Sequence, residues 1–351
     1  MPDPRPSIRD IAARAGVSPT TVSHALNRVP GTRVSDATRL RVERVAAELG
    51  YAPNGHARAL RTQRSNTLAL ISEEISTTPY AGRLILGAQE AAFARGWVLI
   101  VMTSGGHPEV EEREIAAVWQ HQVDGVLYAS TAHRFLNVPK SLAGMPVFVV
   151  NGEAADGRFP SVFPDEEQGG YDATTELIDH GHRVIGFVTT PEDIPARDGR
   201  RKGYRRALEN AGLPYDDALV SWADSSFAED GYRVTKHLLE HERPTAVFCF
   251  NDRMAMGAYR AAAELGLRIP EDLSVIGFDD QTIVADALYP GLTTMALPYY
   301  EMGSLAVEAL IAEAVGDVVR EPIKHALLSK LVRRGSVAPP AGSAPGPTDA
   351  A

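Results

Sequence analysis

Several apolar runs that are typical of β-strands are directly followed by side chains suited to binding a polar ligand. These side chains are carboxylates, an amide and a guanidinium, at Asp165, Arg200, Asn251, Asp252, Asp279 and Asp280. Ligands of parallel α/β sheets bind outside the carboxyl ends of the strands. Such groups can each hold two adjacent hydroxyls, so the pattern predicts a site for a polyhydroxylated molecule. Acids at strand ends also serve as helix caps, and that alternative stays open for each of them.

Three further residues are assigned to the same predicted site. Asn151 follows the strand-like run Val147–Val150, and the rings of Tyr80 and Phe227 could supply apolar faces for a sugar. The alternative for either aromatic residue is a place in the hydrophobic core. Arg200 is expected to open a helix.

No motif in the sequence indicates catalysis or a cofactor. GxGxxG, P-loop and GxSxG patterns are missing, as is a His/Cys cluster with metal-ligand spacing. His180 and His182 lie where a helix is expected to end, a position that favours cations, so we interpret them as structural. We therefore predict no catalytic residue, no cofactor and no metal. An enzyme of sugar or nucleotide chemistry is kept as an alternative.

Alternating strands and helices from Thr67 onwards must position the ligand-binding side chains. The apolar runs are Leu68–Ile71, Val98–Met102, Gly125–Ala129, Val147–Val150, Val184–Val188, Ala246–Phe250 and Leu273–Phe278. Helices are predicted at Ala81–Arg95, Val110–His121, Tyr171–His180, Arg200–Ala211 and Asp230–His241. Continuous apolar strands separated by such helices indicate parallel sheets covered on both faces. The predicted fold class is α/β, and the length fits two sheets better than one.

The first 27 residues follow a different pattern, two short helices joined by a glycine turn. Ser7 and Asp10 resemble a capping box, Gly16 ends the first helix, and Ser18 caps the second with Pro19 at its first position. The outward face of the second helix carries Pro19, Thr20, Ser23, His24 and Asn27. This hydrogen-bonding face predicts a helix-turn-helix that binds DNA. A generic helical hairpin with a solvated face is the alternative.

The distribution of charge favours DNA. Residues 1–64 hold eleven arginines, no lysine and five acids, a net charge of +6, whereas the whole chain carries −10 and the remainder therefore −16. A basic segment on an acidic body indicates that this segment alone meets a polyanion. A membrane surface is a weaker candidate, because the segment has no basic amphipathic helix with large apolar residues.

A third helix and a linker complete the amino-terminal segment. Ser35 caps the helix and Gly50 ends it. The linker that follows could form about two helical turns, too few to persist in water without a partner. Leu60 in this linker either contacts the body of the protein or enters the DNA minor groove as a wedge.

The single cysteine, Cys249, lies in an apolar run, and no segment has the length of a membrane span, so a cytoplasmic protein is expected.

The motifs together resemble the LacI/GalR family of bacterial transcriptional regulators, from Ser7 to about Pro340. The matching segments are IRDIAARAGVSPTTVSHALN, YAPNGHARALRTQRS, VDGV, GHRVIGFV, RRKGYRRAL, PTAVFCFNDRMAMGAYRA, GLRIPEDLSVIGFDD, LTT and LVRRGS. Their order along the chain is the family's order. Two segments depart from the family pattern: Ser72–Thr78 replaces an Asn-Pro-aromatic approach to the first core helix, and Phe227 is displaced by one position from an aromatic slot.

The resemblance implies roles for individual residues. It places Pro19, Thr20 and His24 at base-contacting positions and Leu60 at the central base step. The complete DNA-binding set that we predict is Ser7, Ser18, Pro19, Thr20, Thr21, Ser23, His24, Asn27, Arg28, Arg33, Asn54, Ala57, Arg58 and Leu60. The predicted effector-binding set is Tyr80, Asn151, Asp165, Arg200, Phe227, Asn251 and Asp279.

The resemblance also implies the domain organisation. Residues 1–65 would form the headpiece with a hinge helix at about 53–61, and 66–337 the periplasmic-binding-protein-like core. The core's N-subdomain would span about 66–160 and 291–322, and its C-subdomain about 161–290 and 323–337. The Pro- and Gly-rich tail 338–351 lacks a leucine heptad and is expected to be disordered.

A homodimer is expected to bind a palindromic operator on double-stranded DNA, with a sugar-like effector in the cleft between the subdomains. A purine-type corepressor and a solute-binding protein without DNA function are the alternatives.

Overall fold

The structure is a computed structural model that describes residues 6–27, 31–51, 64–74, 81–316 and 321–341. The chain divides into two units, residues 1–65 and 66–351. In the described ranges, no helix is both long and apolar enough to cross a membrane.

The first unit contains three helices, α1 (Ile8–Ala15), α2 (Pro19–Leu26) and α3 (Asp36–Glu48). The carboxylate of Asp10 accepts hydrogen bonds from the backbone N–H and the hydroxyl of Ser7, both at 2.7 Å, so the predicted capping box forms. Gly16 ends α1 with a φ of 66°, which costs glycine little. Small apolar side chains from all three helices make the core, among them Ile11, Val22 and Val42.

The second unit is built on two six-stranded sheets. The first sheet contains β1 (Thr67–Ser72), β2 (Val98–Thr103), β3 (Gly125–Leu136), β4 (Val147–Ala154), β5 (Ser161–Pro164) and β11 (Lys324–Leu327), in the order β11-β5-β4-β3-β1-β2. The second contains β6 (Ile185–Thr189), β7 (Val220–Trp222), β8 (Ala246–Cys249), β9 (Ser274–Asp279), β10 (Thr293–Ala296) and β12 (Lys330–Val332), in the order β12-β10-β9-β8-β6-β7. All neighbours pair in parallel except β12, which is antiparallel to β10. The α/β prediction with two parallel sheets is confirmed.

Helices pack against both sheets. The first subdomain carries α4 (Ala81–Ala94), α5 (Pro108–Gln120) and α11 (Tyr299–Val315). The second subdomain carries α6 (Glu166–Asp179), α7 (Pro195–Asn210), α8 (Ala228–His241), α9 (Asp252–Glu264) and the short α10 (Thr282–Ala285).

The expected subdomain boundaries need correction at three strands. Ser161–Pro164 and Lys324–Leu327 pair with each other in the first sheet, although both were assigned to the C-subdomain. Thr293–Ala296, assigned to the N-subdomain, lies beside β9 in the second sheet. The chain therefore crosses between subdomains after β5, β10 and β11, a few residues later than expected, because strand pairing decides the boundary.

Two helices begin more than one turn earlier than expected. Both α6 and α7 start five residues before the predicted positions Tyr171 and Arg200. Their first turns are polar and show no apolar period, but Asp165 caps α6 and Pro195 occupies the first position of α7. Arg200 therefore does not open its helix and lies in the second turn.

The tail was expected to be disordered from residue 338, which is wrong for Ala338. Its backbone N–H donates to the Ser274 hydroxyl at 3.1 Å, and its carbonyl oxygen accepts from the same hydroxyl at 3.0 Å. These bonds attach the segment after β12 to the start of β9.

Close helix packing holds α6 against α7 at glycine positions. A Cβ placed on Gly203 would collide with the backbone carbonyl of Glu167 and the amide of Tyr171 on the facing helix. This close approach brings the first turn of α6 beside Arg200.

Gly203→Ala should lower the free energy of unfolding by about 1–3 kcal/mol, because neither backbone can move without disturbing the helix pair. Gly82→Ala is the matched control, since Gly82 is helical and exposed with open space around it. The control should leave stability unchanged or slightly higher. Urea unfolding of the three proteins measures the difference, and equal stabilities would contradict the packing described.

Candidate DNA-binding surface and ligand cleft

One face of α2 presents the side chains predicted to contact bases. Pro19 and Thr20 are exposed and His24, one turn after Thr20, is half-buried. Residues four apart share a helix face, so Thr20 and His24 lie along one line of the surface. Asn27 continues this line, but its amide donates to the carbonyl of Ser23 at 2.7 Å.

Other predicted DNA-binding residues support the helices. The Ser18 hydroxyl accepts from the backbone N–H of Thr21 at 3.1 Å and contacts the Thr21 hydroxyl at 2.9 Å, so both side chains serve the cap of α2. Arg33 is exposed between α2 and α3. Five predicted positions and the predicted hinge helix lie outside the described residues, namely Arg28, Asn54, Ala57, Arg58 and Leu60.

A cleft of about 610 Å³ lies at the carboxyl ends of strands from both sheets. Its side chains come from the end of β1 and from β3 and β4 of the first subdomain, and from the second subdomain and the crossovers. They include Glu74, Thr131, His133, Arg134, Asn151, Glu166, Glu192, Ile194, Arg200, Phe227, Phe250, Asn251, Arg253, Asp279, Gln281, Ile283, Leu297 and Tyr299.

Five of the seven predicted effector residues line this cleft: Asn151, Arg200, Phe227, Asn251 and Asp279. Asp165 does not, and its assignment is corrected here. Its carboxylate accepts from the backbone N–H of Gln168 at 3.0 Å as the cap of α6, and it faces a separate cavity with Phe163 and Lys202. Tyr80 lies outside the described residues.

Arg200 is buried, with 3% of its surface exposed, and it contacts several side chains. Its Nε donates to Glu166 Oε2 at 2.8 Å, Nη1 donates to the carbonyl of Phe250, and Nη2 lies 3.6 Å from Asp279 Oδ1. The guanidinium carbon lies 3.8 Å from the ring centre of Phe278 and 4.5 Å from that of Phe250. Burial alone would lower the pKa of Arg200, but the charges of Glu166 and Asp279 raise it, so the group remains a cation.

Asp279 occupies the last position of β9 with a φ of 106°, a backbone conformation that non-glycine residues rarely adopt. Burial raises the pKa of its carboxyl to about 6, although Arg200 and a hydrogen bond from Gln281 oppose that change. Gln281 is held in turn by Asp252, which accepts from its backbone N–H at 2.6 Å and from the Thr294 hydroxyl at 2.6 Å. Asp252 thus supports the cleft through Gln281, which hydrogen-bonds Asp279.

Asn251 lies at the cleft and also caps a helix. It lines the cleft, and its carbonyl oxygen accepts from the backbone N–H of Met254 at 2.8 Å, which caps α9. Its amide nitrogen donates to the carbonyl of Ser226 at 3.1 Å. Phe227, beside Ser226, is 59% exposed, and the guanidinium of Arg253 lies 4.7 Å from its ring centre.

Sequence reasoning missed several cleft residues, chiefly His133, Arg134, Glu166 and Arg253. The first two lie in the second half of β3, which was expected to end at Ala129. The pairing of β3 with β4 is irregular between Ala129 and Arg134 and then resumes. An apolar run indicates only the buried half of such a strand. Glu166 and Arg253 could have been found, because each directly follows a strand-end residue that was already selected, Asp165 and Asp252 respectively.

The described residues contain no group of three or more His, Cys, Asp and Glu side chains arranged to hold a metal ion. His182 Nδ1 hydrogen-bonds the Thr245 hydroxyl at 2.9 Å and its Nε2 the carbonyl of Ala338 at 2.9 Å, so this residue is structural. Cys249 is buried, and burial raises the pKa of its thiol.

A helix-turn-helix unit and a two-sheet core with a polar cleft, in one chain, define a class of protein: a DNA-binding regulator that responds to a small molecule. Residues 7–54 match the bacterial regulatory proteins of the lacI family, and residues 174–337 match the periplasmic binding protein-like domain.

Individual relatives agree. The regulator DegA of Bacillus subtilis is 35% identical over 85% of this chain and 88% of its own length. The repressor PurR of Yersinia pestis is 35% identical over 95% of this chain and 97% of its own length. The solved complex of the transcriptional regulator CelR with cellobiose is 33% identical, covers 95% of this chain and all of its own, and has a TM-score of 0.69. The protein belongs to the LacI family and is a DNA-binding transcriptional regulator.

Asp279 should make stability depend on pH. Because its pKa is raised on folding, the folded state binds the proton more tightly, and stability falls as pH rises from about 4 through about 6. Between pH 4.5 and 7.5 the wild type should lose about 2 kcal/mol that Asp279→Asn does not lose.

Urea unfolding at the two pH values measures this difference. Asp193→Asn, whose side chain is 94% exposed, is the control and should follow the wild type. If the unfolding free energies of Asp279→Asn and the wild type change by the same amount between the two pH values, the Asp279 carboxyl is ionised throughout this range.

Proposed function

We propose that the protein binds a palindromic operator as a homodimer and that a neutral sugar in the cleft controls this binding. The observation that carries the proposal is the cleft itself, in which paired charges surround an exposed aromatic ring. The regulator CelR, similar over nearly the whole chain, forms a complex with cellobiose.

Among the described cleft residues, the cations Arg134, Arg200, Arg253 and a protonated His133 equal in number the carboxylates Glu74, Glu166, Glu192 and Asp279. Arg200 contacts both Glu166 and Asp279, and Arg134 lies 3.8 Å from Glu192. A net charge on the ligand would remain uncompensated in such a site, whereas hydroxyls can donate to the carboxylates and accept from the guanidinium groups. The balance therefore favours a hydroxyl-rich, uncharged effector.

The apolar surface of the cleft also suits a sugar. Phe227 offers one largely exposed ring, while Phe250 and Tyr299 are 6% and 4% exposed. A sugar needs one apolar surface below its C–H face and polar groups around its rim.

For DNA, we infer that Thr20 and His24 contact bases and that Arg33 contacts phosphate. Thr20 is exposed and none of the side-chain hydrogen bonds described above uses it, unlike Thr21 and Asn27. A side chain that the helix already uses contributes less to base discrimination, because contacting DNA would break an existing bond.

For dimerisation, we infer that α4 and β2 form part of the interface. Strand β2 is an edge of the first sheet, and Phe93, Val98 and Leu86 beside it are 82%, 60% and 48% exposed. They surround an apolar depression of about 490 Å³. Contiguous apolar surface of this kind marks an association site, and an uncovered edge strand promotes pairing.

The effector prediction is tested on the full chain by calorimetry with cellobiose and a panel of other uncharged sugars. A sugar that binds the wild type should bind Phe227→Ala about tenfold more weakly, because the stacking surface is lost. Phe227→Tyr retains the ring and should bind like the wild type. Binding by sugar acids or nucleobases, without binding by any uncharged sugar, would refute the proposed effector class.

The operator is obtained by selection from a random duplex pool and used in a binding assay. His24→Ala should cost about 1–3 kcal/mol on the selected site and little on scrambled DNA. Ser35→Ala weakens the cap of α3 and serves as a control for a general loss of headpiece stability. Equal losses on both duplexes for His24→Ala would place base recognition on another face.

The dimer prediction uses Phe93→Glu, which places a carboxylate on the proposed interface. At micromolar concentration without DNA, the wild type should have the mass of a dimer and the variant that of a monomer by light scattering. Ile283→Glu, on an exposed residue of α10, is the control for charge alone. A dimeric Phe93→Glu protein would exclude α4 and β2 as the interface.

A further inference from the structure

A row of six charged side chains runs from the first sheet to the ligand cleft. In spatial order it contains Lys324, Glu153, His133, Glu166, Arg200 and Asp279. The four inner members have side chains that are at most 11% exposed. Removing charges from water is costly, so a buried row of this kind is retained only where its members pair well.

Only one contact in this row joins the two subdomains. Lys324, Glu153 and His133 lie on β11, β4 and β3 of the first sheet, and the other three belong to the second subdomain. His133 Nε2 lies 3.3 Å from Glu153 Oε1, within hydrogen-bond distance. His133 Nδ1 lies 3.7 Å from Glu166 Oε1, which is an ion-pair distance but too long for a hydrogen bond.

The contact with Glu166 is therefore incomplete. Nδ1 of His133 is a buried atom without a hydrogen-bond partner among the described residues, which is an unfavourable condition for a polar group. Its ring is stacked on Phe163, with ring centres 4.4 Å apart, which fixes its plane. A relative movement of the subdomains by less than about 1 Å would complete the bond.

The groups around His133 favour its protonated form. Burial alone would lower the pKa of His133, but the hydrogen bond to Glu153 and the charges of Glu153 and Glu166 outweigh it and raise that pKa. The bond from His133 lowers the pKa of Glu153 to about 2, with Lys324 adding to the effect. Beyond these neighbours, Arg134 and Glu192 line the cleft, and Asp165, Asp193, Asp198, Glu167 and Lys202 line the cavity on the other side of the ring.

We propose that the His133–Glu166 contact is a pH-dependent switch between two arrangements of the subdomains. The protonated ring donates to both carboxylates and holds the subdomains together at this point. A neutral ring has one N–H, which the nearer Glu153 retains, so that Glu166 is released. Since Glu166 also binds Arg200, the switch acts on the cleft, and this consequence rests on the effector role proposed above.

The sign of the pH effect follows from the raised pKa. A histidine that is more basic in the folded protein stabilises the protonated arrangement at low pH, and that stabilisation is lost as pH rises through the folded-state value. Each unit by which the contact raises this pKa corresponds to a tenfold change in the ratio of the two arrangements.

The test measures the distance between the subdomains directly, without a ligand. Cysteines at the exposed positions Lys140 and Glu240 carry spin labels, and the native cysteine, Cys249, is buried. Pulsed electron paramagnetic resonance on the full chain at pH 6 and pH 9 should give two different distance distributions. His133→Gln, which cannot carry the charge, should give one distribution at both pH values. His107→Gln removes an exposed histidine of the first subdomain and should respond like the wild type.

An unchanged distribution in the wild type would overturn the proposal, as would a pH response that persists in His133→Gln. If circular dichroism shows that His133→Gln is unfolded, histidine NMR of the wild type and of Glu166→Gln decides instead. The titration midpoint of His133 should then be lower in Glu166→Gln than in the wild type, and equal midpoints in the two proteins would overturn the proposal. Since no sugar is present, failure of the effector assignment leaves this test intact.

Discussion

The buried guanidinium of Arg200 is the interaction on which the cleft depends. It lies between two carboxylates, Glu166 and Asp279, and against the rings of Phe250 and Phe278. A cation in this position would be too costly without these partners, and the carboxylates would be equally costly without the cation. Each group therefore requires the others, which fixes the ends of α6, α7 and β9 relative to one another.

Close helix contacts and the hydrogen bonds that link Asp252, Gln281 and Asp279 maintain this arrangement. The glycine positions between α6 and α7 bring Glu166 within reach of Arg200. Asp252 holds Gln281, and Gln281 donates to Asp279 at 3.0 Å. Burial raises the pKa of Asp252 well above its usual range, and both of its carboxyl oxygens accept hydrogen bonds from neighbouring residues, so its role is structural. Polar side chains that must hold a ligand in one orientation need such support, because a freely rotating group would first have to be ordered by the ligand.

The division of the core into two sheets gives this site its regulatory potential. The chain crosses between the subdomains three times, after β5, β10 and β11, and the cleft receives side chains from both sides of these crossovers. A ligand that contacts both subdomains has different affinities for different arrangements of the two, and this difference is the free energy available to control DNA binding.

The first unit, by contrast, has a core of short side chains, as expected for three helices in about fifty residues.

Local sequence determined much of this protein. The capping pairs of α1 and α2, the apolar strands, and the acids and amides after β8 and β9 follow from residue types at short spacing, and their placement is confirmed. The family resemblance rested on the same local motifs. The sequence left both a cap and a ligand contact open for Asp165, and the structure shows the cap. By contrast, the membership of β5, β10 and β11 in their sheets could not be predicted. It depends on which strand lies opposite, a long-range pairing that a short segment does not specify.

Tertiary structure also decided the chemistry of the cleft. His133 and Glu166 are 33 positions apart, and Glu166 and Arg200 are 34 apart, yet all three meet in one buried row. No spacing rule connects residues on a strand, a helix start and a second helix. Their pKa values depend on burial and on these partners, both of which exist only in the folded chain. The sequence determined which charged groups were available, and folding decided which of them would be brought together out of water, where their mutual attraction is strong.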